Sequence, residues 1–134
     1  MAYEQEFADQ AKIHRAHTAV KDILGALVIR DGSLTLVTAQ NGDIPIDQNH
    51  GYGLYYRDCR FLSGYVLTCN GRRPTSILSS DEKGYAGITV LTNQRYVDRD
   101  GRTVEKETLG IRRDRIIPGM LDEKITVTNY NDFE

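Results

Sequence analysis

Turn signals that contain glycine recur through this chain and separate short runs of apolar and β-branched residues. Asp31-Gly32 stands between Ala26-Leu27-Val28-Ile29 and Leu34-Thr35-Leu36-Val37. Asp-Gly between two apolar runs predicts a β-hairpin, because both turn positions favour a positive φ. Further turn signals occur at Asn41-Gly42, Asn70-Gly71, Asp100-Gly101 and Pro118-Gly119. Several short strands at a spacing of roughly ten residues are typical of an antiparallel sandwich or barrel.

The predicted strands span residues 26–29, 34–37, 61–69, 77–78, 88–91, 96–97, 103–104, 108–112, 115–117 and 125–130. Pro45 has no amide proton and cannot lie in a central strand, so residues 41–53 are predicted to form a long loop. This pattern indicates an antiparallel sandwich or barrel, and of these the predicted fold class is mainly β, an antiparallel β-sandwich. Residues 1–17 are predicted to be a free tail or a short helix, and residues 18–134 the sandwich domain.

Composition limits the classes of function. The 134 residues suffice for one domain with a core, and a formal net charge of -2 without blocks of like charge gives no support for a nucleic-acid or membrane partner. No apolar run approaches the roughly 20 residues of a membrane helix. Cys59 and Cys69 lie ten residues apart on one extended segment, beyond disulfide reach. We therefore expect reduced cysteines, small buried hydrophobes in their packing, and a cytoplasmic location.

The segment Gly53-Leu54-Tyr55-Tyr56-Arg57-Asp58-Cys59-Arg60-Phe61-Leu62-Ser63 concentrates charged and aromatic residues. Arg57 and Arg60 place two cations around Asp58, and the neighbouring aromatic residues would bury them. A buried charge persists only when it is paired. Two interpretations of this segment follow. The segment is either a salt-bridge network that fixes a loop-to-strand corner, with Asp58 paired to Arg60, or a polar site on a rigid strand. The candidate site residues are Tyr56, Arg57, Asp58 and Arg60.

Other candidates have common structural explanations. His14, His17 and His50 lack an acidic or cysteine partner at a ligand spacing, so no metal site and no cofactor is predicted. Gly51-x-Gly53 precedes a strand and lacks a third glycine, unlike a phosphate loop. The tyrosines at 52, 55, 56 and 65 fit the lining of a sheet face better than a sugar-stacking platform. Several acids are present, but sequence spacing cannot pair them as glycoside hydrolysis requires.

The central segment resembles the N-terminal domain of bacterial glycogen debranching enzymes of the amylo-alpha-1,6-glucosidase type. That family has a Gly-Leu-aromatic-x-Arg-Asp-Thr-Arg-Phe-Leu-Ser signature followed by Asn-Gly-x-x-Pro. The matching residues here are Gly53, Leu54, Tyr55, Arg57, Asp58, Arg60, Phe61, Leu62, Ser63, Asn70, Gly71 and Pro74, with Cys59 in place of the threonine. Arg113, Arg115, Gly119 and the strand from Glu123 to Tyr130 follow in the order that the family shows.

The resemblance implies a non-catalytic accessory domain of a glycoside hydrolase, which packs on a helical catalytic domain and helps to shape an α-glucan site. In that family the catalytic acids lie on the helical domain, so no catalytic residue is expected in this chain. The alternatives are a stand-alone carbohydrate-binding module and, less favoured, catalysis by this domain. The last predicted strand would leave an open edge, so we expect a piece of a longer protein and a homo-oligomer that forms through that edge.

Overall fold

The structure, a computed structural model, describes residues 25–46 and 49–134, so the predicted N-terminal helix lies outside the described residues. This part of the chain contains strands and no helix, and therefore no helix that could span a membrane. The ten strands are β1 (Leu27–Asp31), β2 (Leu34–Thr38), β3 (Gly53–Tyr56), β4 (Cys59–Leu62), β5 (Thr75–Ser80), β6 (Ala86–Thr92), β7 (Tyr96–Val97), β8 (Thr103–Val104), β9 (Leu109–Ile116) and β10 (Asp122–Asn129).

The first sheet is an antiparallel meander in the order β1-β2-β3-β4. The predicted hairpin at Asp31-Gly32 is confirmed, with Asp31 paired to Leu34 and Gly32-Ser33 as the two-residue turn. Gly32 has a φ of 57°, which glycine adopts without a steric penalty. Because β2 runs back to β3, the β1–β2 turn and the β3–β4 turn lie at the same end of the sheet.

The second sheet is antiparallel in the order β10-β9-β6-β5, and β7 and β8 form a separate two-stranded hairpin around the predicted Asp100-Gly101 turn. The two runs predicted at 108–112 and 115–117 form the single strand β9 up to Ile116. Its side chains alternate: Ile111, Arg113 and Arg115 are buried, whereas Arg112 and Ile116 are exposed. This period of two is that of a strand with one covered face.

The two sheets pack on each other with an apolar cluster between them, which confirms the predicted mainly β, antiparallel sandwich-like fold. The buried members are Ile29, Leu36, Ile44 and Ile117. A Cβ atom on Gly87 of β6 would lie 3.4 Å from Cγ2 of Ile29 in β1, so the glycine allows the two sheets to approach closely. Full burial of each aliphatic side chain contributes roughly 1.5–3 kcal/mol.

Two sequence predictions about residues 59–69 are wrong, namely the length of one strand and the burial of Cys59. The strand predicted over residues 61–69 ends at Leu62, and beyond it only isolated bridges form, at Tyr65 with Ile44 and at Cys69 with Arg72. The predicted loop 41–53 is confirmed in its described part up to residue 52, apart from the isolated bridge at Ile44, and Gly53 begins β3. Both cysteines are free, but Cys59 is exposed and only Cys69 is partly buried, so Cys59 is not a buried hydrophobe.

Candidate functional site at the hairpin end of the first sheet

The charged pair Arg57-Asp58 forms the tight turn of the β3–β4 hairpin. Tyr56 pairs with Cys59 across the turn, and the φ angles of Arg57 and Asp58 are 47° and 65°. Positive φ at both positions is the type I′ geometry that fits the twist of the flanking strands. The N–H of Arg57 donates to the Ser33 carbonyl at 3.2 Å, so the two turns at this end of the sheet are joined.

The predicted loop-to-strand corner is therefore a hairpin turn, and its charges are not buried. Arg57, Asp58 and Arg60 are all exposed. No ion pair connects Asp58 with either arginine in the described part of the chain. The expectation that neighbouring aromatic residues bury these charges is wrong, because Tyr56 and Phe61 are themselves exposed. The hairpin tip, which is the Arg57-Asp58 turn, therefore keeps its charged groups in solvent.

Arg60 has a different role from its neighbours. Its Nη1 donates to the carbonyl oxygens of His50 at 2.9 Å and Tyr52 at 3.3 Å, so it fastens the loop that precedes β3. The side chain reaches these carbonyls by crossing Gly53: a Cβ atom there would lie 2.7 Å from Cδ of Arg60 and 2.7 Å from the Leu62 carbonyl. This close approach explains the glycine that opens the Gly-Leu-Tyr-Tyr-Arg-Asp segment. Arg60 is an anchor of the loop.

An open groove of about 500 Å³ runs along the outer face of the sheet beside the turns. Its lining consists of Arg30, Gly32, Ser33, Thr35, Tyr55, Arg57 and Asp58. Thr35 and Tyr55 are directly paired across β2 and β3. The strand β1 supplies Arg30, and the turns supply Ser33, Arg57 and Asp58. The hydroxyl of Tyr55 donates to the Gly51 carbonyl at 2.8 Å, which fixes the ring. The groove has a size typical of small-ligand sites and offers an aromatic ring among hydrogen-bonding groups.

The other face of the hairpin carries an exposed aromatic pair. The rings of Tyr56 and Phe61 are 6.4 Å apart and tilted by 57°, and Phe61 is 68% exposed. The Arg57 guanidinium lies over the Tyr56 ring, 5.2 Å from its centroid. Tyrosine, phenylalanine and arginine are enriched in protein–protein interfaces, so this aromatic face has the composition of a docking surface.

A second charged group, the inter-sheet ion cluster, consists of Asp43, Arg113, Arg115 and Glu123 and lies between the sheets. Arg113 donates from Nη1 to Asp43 at 2.6 Å and from Nε to Glu123 at 2.8 Å, and Arg115 donates to the other oxygen of Glu123 at 2.9 Å. The Tyr65 ring covers both guanidinium groups at 5.5 and 5.7 Å, a cation–π distance. Two cations and two anions leave the cluster neutral, as burial requires.

Mutual stabilisation governs the ionisation of this cluster. Burial raises the pKa of the Glu123 carboxyl, but the hydrogen bond from Arg113 and the charge of Arg115 outweigh it, so the pKa lies below its usual value. Burial and the neighbouring Arg113 charge lower the pKa of Arg115. Arginine nevertheless stays protonated in proteins. The Nη2 atoms of Arg113 and Arg115 are buried and have no hydrogen-bond partner within the described residues.

In the sequence, Arg113, Arg115 and Glu123 match a family pattern that predicts no role for them. The alternation of side chains along the strand could have predicted that both arginines are buried. Arg113 and Arg115 occupy the same phase as Ile111 and Ile117, which face the core. Their partner Asp43 lies 70 residues away in the sequence, and no local pattern connects it with β9. The cluster serves the fold, because its carboxylates are enclosed and neutralised.

The remaining candidates are distributed through the structure. His50 uses both ring nitrogens internally: Nδ1 accepts from the Tyr52 N–H at 3.2 Å, and Nε2 contacts the Pro45 carbonyl at 2.7 Å. No group of three metal-ligating side chains occurs among the described residues. The four tyrosines do not share one sheet face. Tyr52 packs on the apolar core, Tyr55 lines the groove, Tyr56 lies on the opposite face, and Tyr65 covers the arginines.

Comparison with known proteins supplies the family. A family model described as the N-terminal domain of some glycogen debranching enzymes matches residues 29–134, which are 106 of the 134 residues. The match therefore extends from β1 to the last residue and includes the hairpin tip, the groove and the inter-sheet ion cluster. Searches of the curated proteins and of the solved structures gave no match. The chain belongs to the family of N-terminal domains that occur in some glycogen debranching enzymes.

Proposed function

We propose that this chain is a non-catalytic accessory domain of a glycogen-debranching glycoside hydrolase, which packs against the catalytic domain and helps to shape its α-glucan site. The observation that carries the proposal is the hairpin tip. Arg57 and Asp58 are exposed, occupy a strained turn, and take part in no ion pair with each other. Strained, exposed polar residues held by a rigid scaffold are more typical of contact sites than of fold stabilisation.

The two faces of the hairpin suit two contacts. The aromatic face, formed by Tyr56, Phe61 and Arg57, offers a rigid apolar surface with one cation, as an interface core requires. The groove on the opposite face offers the Tyr55 ring, the hydroxyl of Thr35 and the carboxylate of Asp58 to a sugar. We therefore assign the aromatic face to the catalytic domain and the groove to the border of the glucan site.

Three carboxylates of this chain, those of Asp43, Asp98 and Glu123, suit catalysis poorly. Glycoside hydrolysis needs two carboxyl groups about 5–9.5 Å apart on either side of the bond, with the pKa of the acid raised. Asp43 and Glu123 are buried and paired with arginine, and the pKa of Glu123 is lowered. The pKa of Asp98 is also lowered, by the backbone and side chain of Arg102. These groups lack the properties of a general acid.

The test is binding of the chain to the separately produced catalytic domain of the same debranching enzyme, measured by calorimetry. Tyr56→Ala and Arg57→Ala should each weaken the affinity by about tenfold or more, because tyrosine and arginine are enriched among the hot-spot residues whose truncation costs about 2 kcal/mol or more. Tyr130→Ala and Arg99→Ala are matched controls, since both residues are exposed but lie away from the hairpin tip. Equal loss in all four variants, or no binding by the unaltered chain, would contradict the proposal.

Two further experiments on the isolated chain separate the alternatives. Heat on titration of the chain alone with maltoheptaose, lost in Tyr55→Ala, would favour a stand-alone carbohydrate-binding module. Release of glucose from a branched dextrin by the purified chain, lost in Asp58→Asn, would show catalysis by this domain. For an accessory domain we expect neither result from the isolated chain.

A further inference from the structure

The four edges of the two sheets differ in how well they are protected. At the β1 edge, Arg30 donates its N–H to the Gly84 carbonyl at 2.7 Å, and Val28 donates to Asp81 at 2.9 Å. The strand β4 has only four residues, and its pairing shifts register beside Leu54. The strand β5 also carries a register shift, between Ser76 and Leu78. Cover, short length and bulges are the usual devices against edge-to-edge association.

The strand β10 has no cover and no bulge within the described residues, and it is not short. Its charged residues, Asp122, Glu123 and Lys124, lie at its first three positions, and Glu123 is neutralised by Arg113 and Arg115. The strand is eight residues long and pairs with β9 in an unbroken register from Asp122 to Asn129. Its row of side chains on the inner face includes Ile125, which is 41% exposed, and Val127, which is 59% exposed. A long, regular edge with exposed apolar residues is a template for another strand.

The direction of the free backbone groups follows from the β9–β10 ladder. The N–H of Tyr130 donates to the Thr108 carbonyl at 2.9 Å and continues that ladder by one pair. Opposed residues in an antiparallel pair alternate between hydrogen-bonded and non-hydrogen-bonded. Even-numbered residues of β10 therefore bond to β9, whereas Glu123, Ile125, Val127 and Asn129 direct their N–H and C=O groups to the open edge.

We propose that β10 pairs with β10 of a second copy of this chain, antiparallel about a two-fold axis at Thr126. In this register Ile125 lies opposite the second copy's Val127 on the inner face, twice per dimer, and these form hydrogen-bonded pairs. Glu123 comes opposite Asn129 and Lys124 opposite Thr128, so no like charges face each other. A register centred on Lys124 would oppose two lysines, and one centred on Glu123 would oppose two glutamates, which is unfavourable. The dimer is isologous and continues the second sheet across the axis.

The first test is the mass of the full 134-residue chain by sedimentation equilibrium as its concentration is varied. The expected result is a mass that rises from one chain to two. Val127→Lys should weaken the association by about tenfold or more, because it removes two apolar cross-strand pairs and adds charges that face inward at the edge. Ile77→Lys is the matched control, since Ile77 is also exposed, at 60%, but lies on the opposite edge of the same sheet.

The second test determines the register by cross-linking. Non-hydrogen-bonded pairs have Cα atoms about 4.5 Å apart, within the range of a disulfide. In a background with Cys59→Ser and Cys69→Ser, Thr126→Cys should form a disulfide-linked dimer under mild oxidation. Thr128→Cys lies on the same face but opposite Lys124 of the second copy, and should not. The folding of each variant is checked by its unfolding transition.

Two outcomes would overturn the proposal. One is a monomer at all concentrations. This outcome includes the case in which another strand of the same polypeptide covers β10, and Val127→Lys would then lower stability without a change of mass. The other is a dimer in which Val127→Lys associates as tightly as the unaltered chain, or in which Thr128→Cys cross-links as readily as Thr126→Cys. Either result would place the contact elsewhere.

Discussion

At the scale of single residues, Arg113 shows why arginine rather than lysine occupies the inner face of β9. The residue is 1% exposed, and its planar guanidinium donates in two directions at once, to Glu123 and to the Asp43 carboxylate. A lysine ammonium is a compact point charge and cannot reproduce this fork. The outward-facing Arg112, by contrast, pairs with Asp114 at 2.9 Å in solvent, where ion pairs contribute little.

Glu123→Gln is expected to destabilise the chain by about 3–5 kcal/mol, because it leaves two buried guanidinium groups with one carboxylate. Urea denaturation monitored by circular dichroism measures the loss. Arg112→Ala is the control, with an expected loss of at most about 1 kcal/mol because its ion pair is exposed. Similar losses in the two variants would show that the inter-sheet ion cluster does not hold the fold.

Gly42→Ala is expected to destabilise more than Gly101→Ala. Both glycines have a positive φ, 83° and 78°, so both substitutions cost about 1 kcal/mol in backbone strain. Only at Gly42 would the new Cβ atom be crowded, at 3.2 Å from Oγ1 of Thr89 and 3.4 Å from Nη1 of Arg113. Thermal unfolding of both variants measures the difference. Equal shifts of the midpoint would mean that the cluster adjusts to the methyl group without cost.

At the scale of elements, the β3–β4 hairpin shows a conflict between local preference and sequence. A type I′ turn favours Asn-Gly, yet this turn contains Arg57-Asp58 with positive φ at both residues. The turns that contain Gly32 and Gly101 are predictable from the sequence, because the positive φ that they need is a property of glycine itself. The Arg57-Asp58 turn is not predicted, because it contains neither glycine nor asparagine. The paired strands on either side impose its conformation.

Asp58→Gly is therefore expected to stabilise the isolated chain by about 0.5–1 kcal/mol, since glycine adopts this φ freely. The same change removes the carboxylate from the groove, and under the proposed function it should not improve binding to the catalytic domain. Urea denaturation measures stability, and calorimetry measures binding. A loss of stability would instead mean that the Asp58 side chain supports the hairpin, as the salt-bridge reading of this segment expects.

At the scale of the whole molecule, the inter-sheet ion cluster makes the free energy of unfolding depend on pH. The folded-state pKa of Glu123 lies below its unfolded value of about 4.3. Its contribution is therefore fully present above that value and is lost as the pH falls through the lower folded-state pKa. The stability of the unaltered chain should decrease below about pH 4.3, and the penalty of Glu123→Gln should shrink over the same interval. Urea denaturation across this pH range tests both, and a constant penalty would contradict the assignment.

The sequence alone determined the features that depend on neighbours in the chain. Turn glycines placed the β1–β2 and β7–β8 hairpins, alternation placed Ile125 and Val127 on one face of the last strand, and the Gly-Leu-Tyr-Tyr-Arg-Asp segment indicated the family. These signals are local because turn geometry and side-chain period are properties of a few consecutive residues.

Only the tertiary structure decided which charges are buried. It exposed Arg57, Asp58 and Arg60, which the sequence suggested as a buried network, and it enclosed Arg113 with Asp43 from 70 residues away. The physical reason is that burial depends on what the other sheet covers, and hydrogen-bond partners distant in sequence meet only when the sheets pack. The pairing of a charge is set by three-dimensional proximity, whereas its position on a strand is set by the sequence.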